Sequence, residues 1–511
     1  MEETKQEFQY VSRSIMVSVQ RGIFVGVVVG LVVSLFRLFI HQGFDWVVHL
    51  YALARQNLFV LFAIVTGYII LTGVLAYLTK GESAVKGSGI PQVEGELKGL
   101  IDSNWWNILW RKFIGGVLAI SSGLMLGREG PSIQLGAMTG KGLARYLKLS
   151  PMETRVLIAS GAAAGLSAAF NAPIAGLLFV VEEVYRHFSR LVWITTLTAS
   201  LVANAVSLWM FGLTPILQLP MDIPALKLSQ YWLLILTGII LGVAGYQYER
   251  VILAMPTVYE KLGKFLRLPV KWYPLVPFAL ILPVGYFLPE LLGGGHELIM
   301  HLPHANFGFW ALLLIFVIRF ALSMLSYGSG LPGGIFLPIL ALGSLLGLLI
   351  GSIFEQVGIV TSADLPLFIV IGMAGYFGAI SKAPLTGIIL VTEMVGDMRQ
   401  LMPLGLVTLS AYIVMDLLKG APIYEAMLER ILPEHASETS KATYIEIPVS
   451  EKIAGQRVCD LNLPEGVLIT GQINHGRSEI VHGQTVLYLG NTIHLVVRTH
   501  QMDAVKALLL D

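Results

Sequence analysis

The sequence predicts an all-α polytopic membrane protein that ends in a small α/β domain. Three observations support this prediction. Of the 511 residues, 55% are hydrophobic and only 13% are charged, which is more apolar surface than a soluble domain can bury. Many separate apolar runs approach the roughly 20 residues that a spanning helix needs. From residue 442 onward, in contrast, the chain is polar and alternates as strands do.

Five apolar runs are candidates for spanning helices. They cover residues 22–40, 58–78, 232–246, 309–325 and 401–418. Two other runs, 173–184 and 366–379, are too short to cross a bilayer straight. These two predict tilted, broken or partial helices, which a membrane protein tolerates where other protein or a cavity covers the backbone.

The N-terminus and the charge balance exclude several classes of protein. The first fourteen residues have mixed charge and no apolar core, so we predict no removable signal peptide. Lys5, Arg13 and Arg21 precede the first span and favour a cytoplasmic N-terminus. A net charge of +1 gives no reason to expect nucleic acid as a partner. The single cysteine, Cys459, excludes an internal disulfide and a cysteine-cluster metal site.

An internal repeat gives the first indication of function. Residues 161–182 align without a gap on residues 372–393. The coinciding pairs include Gly161/Gly372, Ala172/Ala383, Pro173/Pro384, Gly176/Gly387 and Glu182/Glu393. Upstream, GREGPSIQLG (127–136) matches GIFLPILALG (334–343). Two halves with Gly- and Pro-interrupted apolar segments in corresponding places predict a transporter whose ion site lies at the repeat interface.

A third glycine-rich break, GSGIP (87–91), and a polar residue, Tyr424, follow other spans. Such breaks leave free N–H groups at helix N-termini, where an anion is the natural partner. A single Gly-Pro break is more often only structural, and the glycine runs 22/26/30 and 343/347/351 are explained by helix packing. Four marks, two of them related by the repeat, favour an anion site. Ser88 and Tyr424 could add hydroxyl donors.

These motifs closely resemble those of the CLC family of chloride channels and proton/chloride exchangers. The matching set, over about residues 15–430, is GSGIP (87–91), GREGP (127–131), GGIFLP (333–338) and Tyr424, with GAAAGLSAAFNAPIAG between them. The resemblance implies a homodimer in the lipid bilayer with one anion path per subunit. It implies two inverted repeats of tilted, partly crossing helices, at approximately 15–215 and 230–430. Chloride is the transported ligand, and no cofactor is implied.

The resemblance also implies roles for individual residues. The anion-binding set is Ser88, Gly130, Ile335, Phe336 and Tyr424, with hydroxyl donors at 88 and 424 and backbone amides at 335 and 336. Glu129 is implied to be the gate. An ionised carboxylate on these helix N-termini can occupy the anion site itself, and it leaves when protonated, which links proton uptake to anion entry. Arg128 either raises the local positive potential or pairs with an acid elsewhere.

Glu182 and Glu183 bear on the choice between exchanger and channel. Consecutive helical residues point about 100° apart, so the two glutamates have different tasks. Glu182 has a repeat counterpart in Glu393, which fits a duplicated structural task such as bonding backbone at a helix end. Glu183 aligns with Met394, so only one half needs it. The resemblance implies that Glu183 transfers protons in exchangers and that channels lack it. We therefore predict a chloride/proton antiporter, with a passive, pH-gated chloride channel as the alternative.

An intramembrane enzyme is a further alternative from another class. Ser88 has no His or Lys in a motif beside it and no metal-ligand set occurs, so we predict neither an enzyme nor a metal site. His296, His301 and His304 are predicted to lie in loops as surface histidines.

The two predicted domains are a transport domain, 1–435, and a C-terminal domain, 442–511. GQTVLYLGNTIHLVV and the apolar-periodic segment after it resemble the regulatory domain of potassium-uptake (TrkA) and RCK-type proteins. We predict an inner membrane of a prokaryotic cell, with both termini cytoplasmic.

Overall fold

The structure is a computed structural model that describes residues 2–186, 189–217, 219, 223–224, 226–304, 307–432, 442–474, 477–498 and 501–510. The chain divides into two compact units, Met1–Leu428 and Glu429–Asp511. The predicted domain bounds, 1–435 and 442–511, stay predictions, and residues 433–441 between them lie outside the described residues. The side chains of Lys5 and Arg13 also lie outside the description.

The described part of the first unit consists of helices joined by loops and short turns. The helices are α1 (Glu2–Ala54), α2 (Leu58–Thr79), α3 (Ile90–Leu97), α4 (Trp105–Ser121), α5 (Glu129–Tyr146), α6 (Pro151–Phe170), α7 (Pro173–Phe179), α8 (Arg190–Phe211), α9 (Tyr231–Leu266), α10 (Leu275–Phe287), α11 (His296–His301), α12 (Phe309–Gly328), α13 (Phe336–Gln356), α14 (Leu365–Ser381), α15 (Pro384–Val395), α16 (Leu401–Leu417) and α17 (Ile423–Ile431). Among the described residues, nine helical segments are long and apolar enough to cross a membrane.

The five predicted spans lie in α1, α2, α9, α12 and α16. The run 173–184 forms a short, irregular helical segment, as predicted. Its regular part, α7, has seven residues and is followed directly by a π-helical turn, Val180–Val184. The prediction that 366–379 is too short to cross was wrong. This run belongs to the segment Ser362–Ser381, which a preceding 3-10 turn extends to 20 residues.

The same close helix crossing occurs in both halves. A methyl group added at Gly136 on α5 would overlap the carbonyl oxygen of Gly161 on α6, and the reverse also holds. Gly343 on α13 and Gly372 on α14 are related in the same way. Gly136 aligns with Gly343 in the repeat, and Gly161 aligns with Gly372. The repeat in the sequence therefore corresponds to a repeated packing arrangement.

The glycine run of α1 serves helix packing, as predicted. A methyl group at Gly22, Gly26 or Gly30 would lie 2.8, 2.7 or 2.9 Å from the nearest atom of α8. Small residues at this spacing let two helix backbones approach closely in a membrane.

Replacing Gly347 by alanine is expected to destabilise the α13–α14 crossing. The added methyl group would overlap the carbonyl oxygen of Phe368, so the backbones must separate, at a cost of about 1–3 kcal/mol. Thermal unfolding in detergent measures the effect. Gly67→Ala on α2 is the matched control, because among the described residues no atom beyond the adjacent backbone of α2 lies within 4 Å of the added methyl group. Equal unfolding midpoints for the two variants would contradict the packing assignment.

The second unit contains a small α/β domain, as predicted. Its elements are β1 (Ala442–Pro448), β2 (Leu468–Asn474), β3 (Arg477–Ile480), β4 (Thr492–Arg498) and α18 (Met502–Leu510). The strands form one antiparallel sheet in the order β1-β4-β2-β3. Alternate residues of β4, Ile493, Leu495 and Val497, are fully buried, and Val505 and Leu509 of α18 belong to the same core.

Candidate functional site

The three glycine-rich breaks meet through backbone hydrogen bonds. Gly127 and Gly334 form a reciprocal pair, in which each amide donates to the other carbonyl at 2.7 Å. The amide of Gly87 donates to the Leu331 carbonyl at 3.1 Å, and the Gly87 carbonyl accepts from the amide of Gly333 at 3.0 Å. Gly127 and Gly334 open the two motifs that the repeat relates. These bonds therefore bring the two repeat-related breaks and the GSGIP break (87–91) together.

Three helices begin at these breaks without a capping hydrogen bond from the side chain of the N-cap residue: α3 at Ile90, α5 at Glu129 and α13 at Phe336. In contrast, Asn57 and Asn104 cap α2 and α4. Uncapped first-turn N–H groups lack an intrahelical partner, and the macrodipole places about half a positive charge at each N-terminus. Three buried N-termini of this kind form a region that favours an anion.

The Glu129 side chain lies in this region. Its carboxyl is fully buried, and the backbone amides of Glu129 and Leu337 lie close to it without a well-aligned hydrogen bond. A methyl group added at Gly127 would touch Oε2 of Glu129 and would lie 3.2 Å from the backbone nitrogen of Leu337, in the first turn of α13. The Nε of Arg128 lies 3.9 Å from Oε1, and within the described residues no other carboxylate lies within 4.0 Å of Arg128. Arg128 therefore faces its neighbour and not a distant acid.

Ser88 and Gly130 are in direct contact. A methyl group at Gly130 would lie 2.8 Å from the carbonyl oxygen and 2.9 Å from the Cβ of Ser88. The GSGIP break therefore approaches α5 this closely only because residue 130 is glycine. Ser88 is buried, and its Oγ accepts a 3.3 Å hydrogen bond from the amide of Ile90. The structure thus brings the predicted residues Ser88, Glu129 and Gly130 together.

Phe336 and Tyr424 are connected through Phe179, which the sequence analysis missed. The Phe179 ring packs edge-on against both, with centroid distances of 5.7 Å to Phe336 and 6.0 Å to Tyr424. Phe377, also missed, lies 4.3 Å from Phe336. Ile335 and Tyr424 are buried, and the Tyr424 hydroxyl has no hydrogen-bond partner among the described residues. An aromatic cluster with an unpaired hydroxyl therefore adjoins the start of α13.

Comparison with known protein families identifies the families to which the two parts of the chain belong. Residues 69–416 match the family model described as "Voltage gated chloride channel", which is more than half of the chain. The chain belongs to the CLC family. It is a multi-pass integral membrane protein. Residues 442–510 match the TrkA-C domain. The predicted family, C-terminal domain type and fold class are confirmed.

Related proteins of this CLC member are transporters and not enzymes. The chain is 38% identical over 360 residues to the H(+)/Cl(-) exchange transporter ClcA of Vibrio cholerae (strain M66-2), covering 68% of this chain and 74% of that protein. It is 35% identical over 447 residues to ClcA of Yersinia pestis (strain Angola), covering 82% and 89%. The structure of a slow cyanobacterial Cl−/H+ antiporter matches with a TM-score of 0.76 and 29% identity, over 82% of this chain and 98% of that one.

Glu182 and Glu393 perform the duplicated task that the repeat predicts. The Glu182 carboxylate accepts from the amides of residues 385 and 386, at 3.1 and 2.8 Å, at the N-terminus of α15. The Glu393 carboxylate accepts from the amides of residues 174 and 175, at 3.1 and 2.8 Å, at the N-terminus of α7. Each carboxylate caps a helix of the opposite half of this CLC protein.

Glu183 lies in the π-helical turn after α7. Its side chain is 1% exposed, and Oε1 has no hydrogen-bond partner among the described residues. Oε2 lies 3.6 Å from Nη2 of Arg186. Short π-helical turns within helices are frequent at functional sites, since the extra residue re-aims the side chains around it.

Arg186 connects Glu183 to charged residues that the sequence analysis did not identify. Nη1 of Arg186 lies 2.6 Å from the Glu425 carboxylate. Nζ of Lys98 lies 3.2 Å from Glu425 and 2.6 Å from Glu94. The Glu94 side chain is fully buried, whereas that of Glu425 is 20% exposed. This ion-pair network therefore leads from the buried Glu183 to a partly solvent-exposed carboxylate.

Glu425 lies outside the candidate membrane-spanning helices. Burial acts to raise the pKa of its carboxyl, but hydrogen bonds and positive charge from Arg186 and Lys98 lower the pKa overall. The ion pairs are therefore present at neutral pH, and their contribution to stability is lost as the pH falls through that lowered pKa. Glu425 directly follows Tyr424, which is the sequence signal that could have identified it.

Lys112, on α4, was also missed. Its buried Nζ donates to the carbonyls of Val85 at 3.0 Å and Gly87 at 2.7 Å. Among the described residues, no carboxylate lies within 4.0 Å of this Nζ, and its two hydrogen bonds hold the segment 85–87 that precedes Ser88. The adjacent cations Arg111 and Lys112 within an apolar run were the available signal.

A small cavity of about 80 Å³ is lined by Arg128, Leu337 and the glycine-rich segment 293–297. His296 lines it too, and its Nδ1 is buried without a hydrogen-bond partner in the described structure. The prediction that His296, His301 and His304 lie in loops was wrong. The first two belong to α11 and the third to a 3-10 turn, because a helix starts directly after the glycines.

Proposed function

We propose that this chain exchanges chloride for protons across a membrane. The observation that carries the proposal is the buried Glu129 carboxylate where three buried helix N-termini meet. The relatives named H(+)/Cl(-) exchange transporter support antiport as the mode.

Glu129 acts as the gate in this proposal. When ionised, its carboxylate takes the place of an anion among the N–H groups of α5 and α13, and chloride must displace it. When protonated, it has no charge for those N-termini to stabilise, and chloride enters. The central chloride is bound by the Ser88 and Tyr424 hydroxyls and by the amides of Ile335 and Phe336, with Gly130 leaving room for Ser88.

Glu183 is the second proton site in the proposal. It is buried, carries an unpaired Oε1, and reaches solvent through the network of Arg186 and Glu425. Phe179 precedes the turn that carries Glu183 and packs against Phe336 and Tyr424, so an apolar wall lies between the proton site and the start of α13. Apolar side chains at this position hinder a continuous file of water. Protons and chloride then follow different routes on the Glu183 side.

We further propose a homodimer with one pathway per subunit, in the inner membrane of a prokaryotic cell with cytoplasmic termini. The inverted repeats, at approximately 15–215 and 230–430, would place the anion site at their interface. The reciprocal Gly127–Gly334 hydrogen bonds support an anion site at the repeat interface, because equivalent residues of the two repeats meet where a pseudo-two-fold axis would relate them.

Simultaneous measurement of both ions tests the function. Purified protein in liposomes with an outward chloride gradient is expected to pump protons inward, and the reversal potential is expected to shift with the pH gradient. A passive, pH-gated chloride channel would move chloride without pumping protons. Chloride flux without any proton pumping would overturn the antiporter in favour of that alternative.

Ser88→Pro is expected to move selectivity from chloride toward nitrate. The hydroxyl donates to the central anion in our proposal, and a hydrogen bond to a charged group contributes about 1.5–3 kcal/mol. Its loss corresponds to a decrease of roughly tenfold or more in chloride affinity. Reversal potentials in chloride/nitrate mixtures measure the change.

Ser344→Ala is the matched control for this substitution. Ser344 is a buried serine of α13 whose hydroxyl bonds the Ala341 carbonyl of its own helix. Unchanged selectivity in Ser88→Pro, or an equal change in the control, would remove Ser88 from the anion site.

A further inference from the structure

A second cavity, of about 660 Å³, lies at the end of α2. Its walls come from the C-terminal turns of α2, the turn Val270–Trp272 before α10, and the loop after α12. Three lysines line it: Lys80, Lys86 and Lys271. None of its lining residues is acidic.

The positive charge in this cavity is uncompensated. Within the described residues, no carboxylate oxygen lies within 4.0 Å of the ammonium groups of Lys80, Lys86 or Lys271. Lys271 lies over the Trp272 ring at 6.0 Å, which leaves its hydrogen-bond donors free for another partner. Arg111 adds a fourth cation nearby, because it donates to the Lys80 carbonyl at 3.0 Å. An anionic ligand is the partner that this composition selects.

The ends of two candidate spans meet at this cavity, as expected of a site near the edge of the hydrocarbon core. One candidate span, Leu58–Thr79, ends here, and another, Val270–Phe287, begins here. Tyr77 and Trp272 line the cavity, and aromatic residues of this kind concentrate at membrane–water interfaces. Along α2 the surface continues as exposed apolar side chains, including Phe62 and Ile70. A ligand in this position meets cations at one end and hydrocarbon at the other.

We propose that this cavity binds the phosphate-bearing headgroup of an anionic phospholipid, with Lys80, Lys86 and Lys271 around the phosphate and the acyl chains along α2. Basic pockets at the ends of membrane helices recognise such headgroups. A soluble phosphate compound offers the same charge, but it does not use the apolar wall that extends from the cavity into the bilayer.

The site is connected to the backbone that carries Ser88. The Leu331 carbonyl, at the edge of the cavity, accepts from the amide of Gly87 at 3.1 Å. The Lys86 side chain crosses Gly330, since a methyl group added there would lie 3.9 Å from its Cδ. A headgroup that holds Lys86 therefore also restrains the segment 86–88. This consequence for transport rests on the proposed function, whereas lipid binding does not.

Lipid retention by the full-length protein tests the proposal. Purified, delipidated protein in detergent is titrated with phosphatidylglycerol or phosphatidylcholine, and bound lipid is counted by native mass spectrometry. We expect phosphatidylglycerol to bind and to raise the thermal unfolding midpoint, with little effect of phosphatidylcholine. Since each lysine near an anionic lipid contributes roughly fivefold, the triple variant Lys80→Gln/Lys86→Gln/Lys271→Gln is expected to bind roughly 100-fold more weakly.

A second triple variant, Lys148→Gln/Lys261→Gln/Lys419→Gln, removes the same charge from exposed lysines outside the cavity. An equal loss of binding in this control would show general charge attraction and overturn the site. Equal stabilisation by inorganic phosphate or glycerol phosphate would identify a soluble anion and overturn the lipid. If the cavity triple variant does not fold, Lys271→Gln alone is expected to weaken binding roughly fivefold, and no change there would also overturn the site. None of these readouts depends on ion transport.

Discussion

Glu129→Ala is expected to leave anion movement intact and to abolish both proton coupling and the pH dependence of transport. The carboxylate is the only acidic group in the first turns of α3, α5 and α13, and it lies beside the backbone nitrogen of Leu337. An alanine can neither occupy the anion region nor carry a proton. Chloride-driven proton flux should fall to the level of protein-free liposomes, while chloride flux persists across the pH range.

Two further variants make this measurement decisive. Glu129→Gln keeps the size of the side chain but stays neutral, so it should behave like the alanine variant. Glu297→Ala removes an exposed carboxylate that lines the cavity beside Arg128, and it should retain coupling. If proton pumping survives in Glu129→Ala, the gate is a different residue.

Glu183→Gln is expected to separate the two ions. Glutamine keeps the size and hydrogen-bonding capacity in the buried turn, so the anion region near Phe336 and Tyr424 should be preserved. It cannot bind and release a proton. Chloride flux should continue at a similar order of magnitude, whereas chloride-driven proton flux should vanish. Both are measured in one liposome preparation.

The neighbouring residue provides the contrast. Glu182 accepts hydrogen bonds from two amides and from the Thr386 hydroxyl at 2.8 Å, so Glu182→Gln should reduce stability by about 1–3 kcal/mol. The protein that remains folded should still couple chloride to protons. Robust proton pumping in Glu183→Gln would refute the proposed proton route. Loss of pumping in folded Glu182→Gln would show that Glu182, and not Glu183, transfers the proton.

Local patterns in the sequence were sufficient to predict the parts of the site that each motif contains. Glycine and proline clustered at the three breaks interrupt the apolar runs, so helix N-termini at the starts of α3, α5 and α13 could be predicted. The repeat also predicted a backbone-capping role for Glu182, because a paired position in both halves indicates a shared structural task.

Contacts between distant residues could not be predicted in the same way. Lys98 and Glu425 are 327 positions apart, and their ion pair depends on how α3 and α17 cross. The contacts of Phe179 with Phe336 and Tyr424 also depend on the three-dimensional packing of distant helices. An aromatic residue in an apolar run has many possible neighbours, so the sequence does not identify which ones it meets. His296 was predicted to lie in a loop, but it begins a short helix directly after three glycines.

The exchange of caps between Glu182 and Glu393 has a consequence for how the protein is made. During synthesis, the first half leaves the ribosome with Glu182 and the N-terminus of α7 both lacking their partners, which arrive only with α15. Neither half can complete these capping bonds by itself. A nascent chain that stops before residue 384 should therefore stay vulnerable to membrane quality-control proteases, and co-expressed halves should protect each other from degradation.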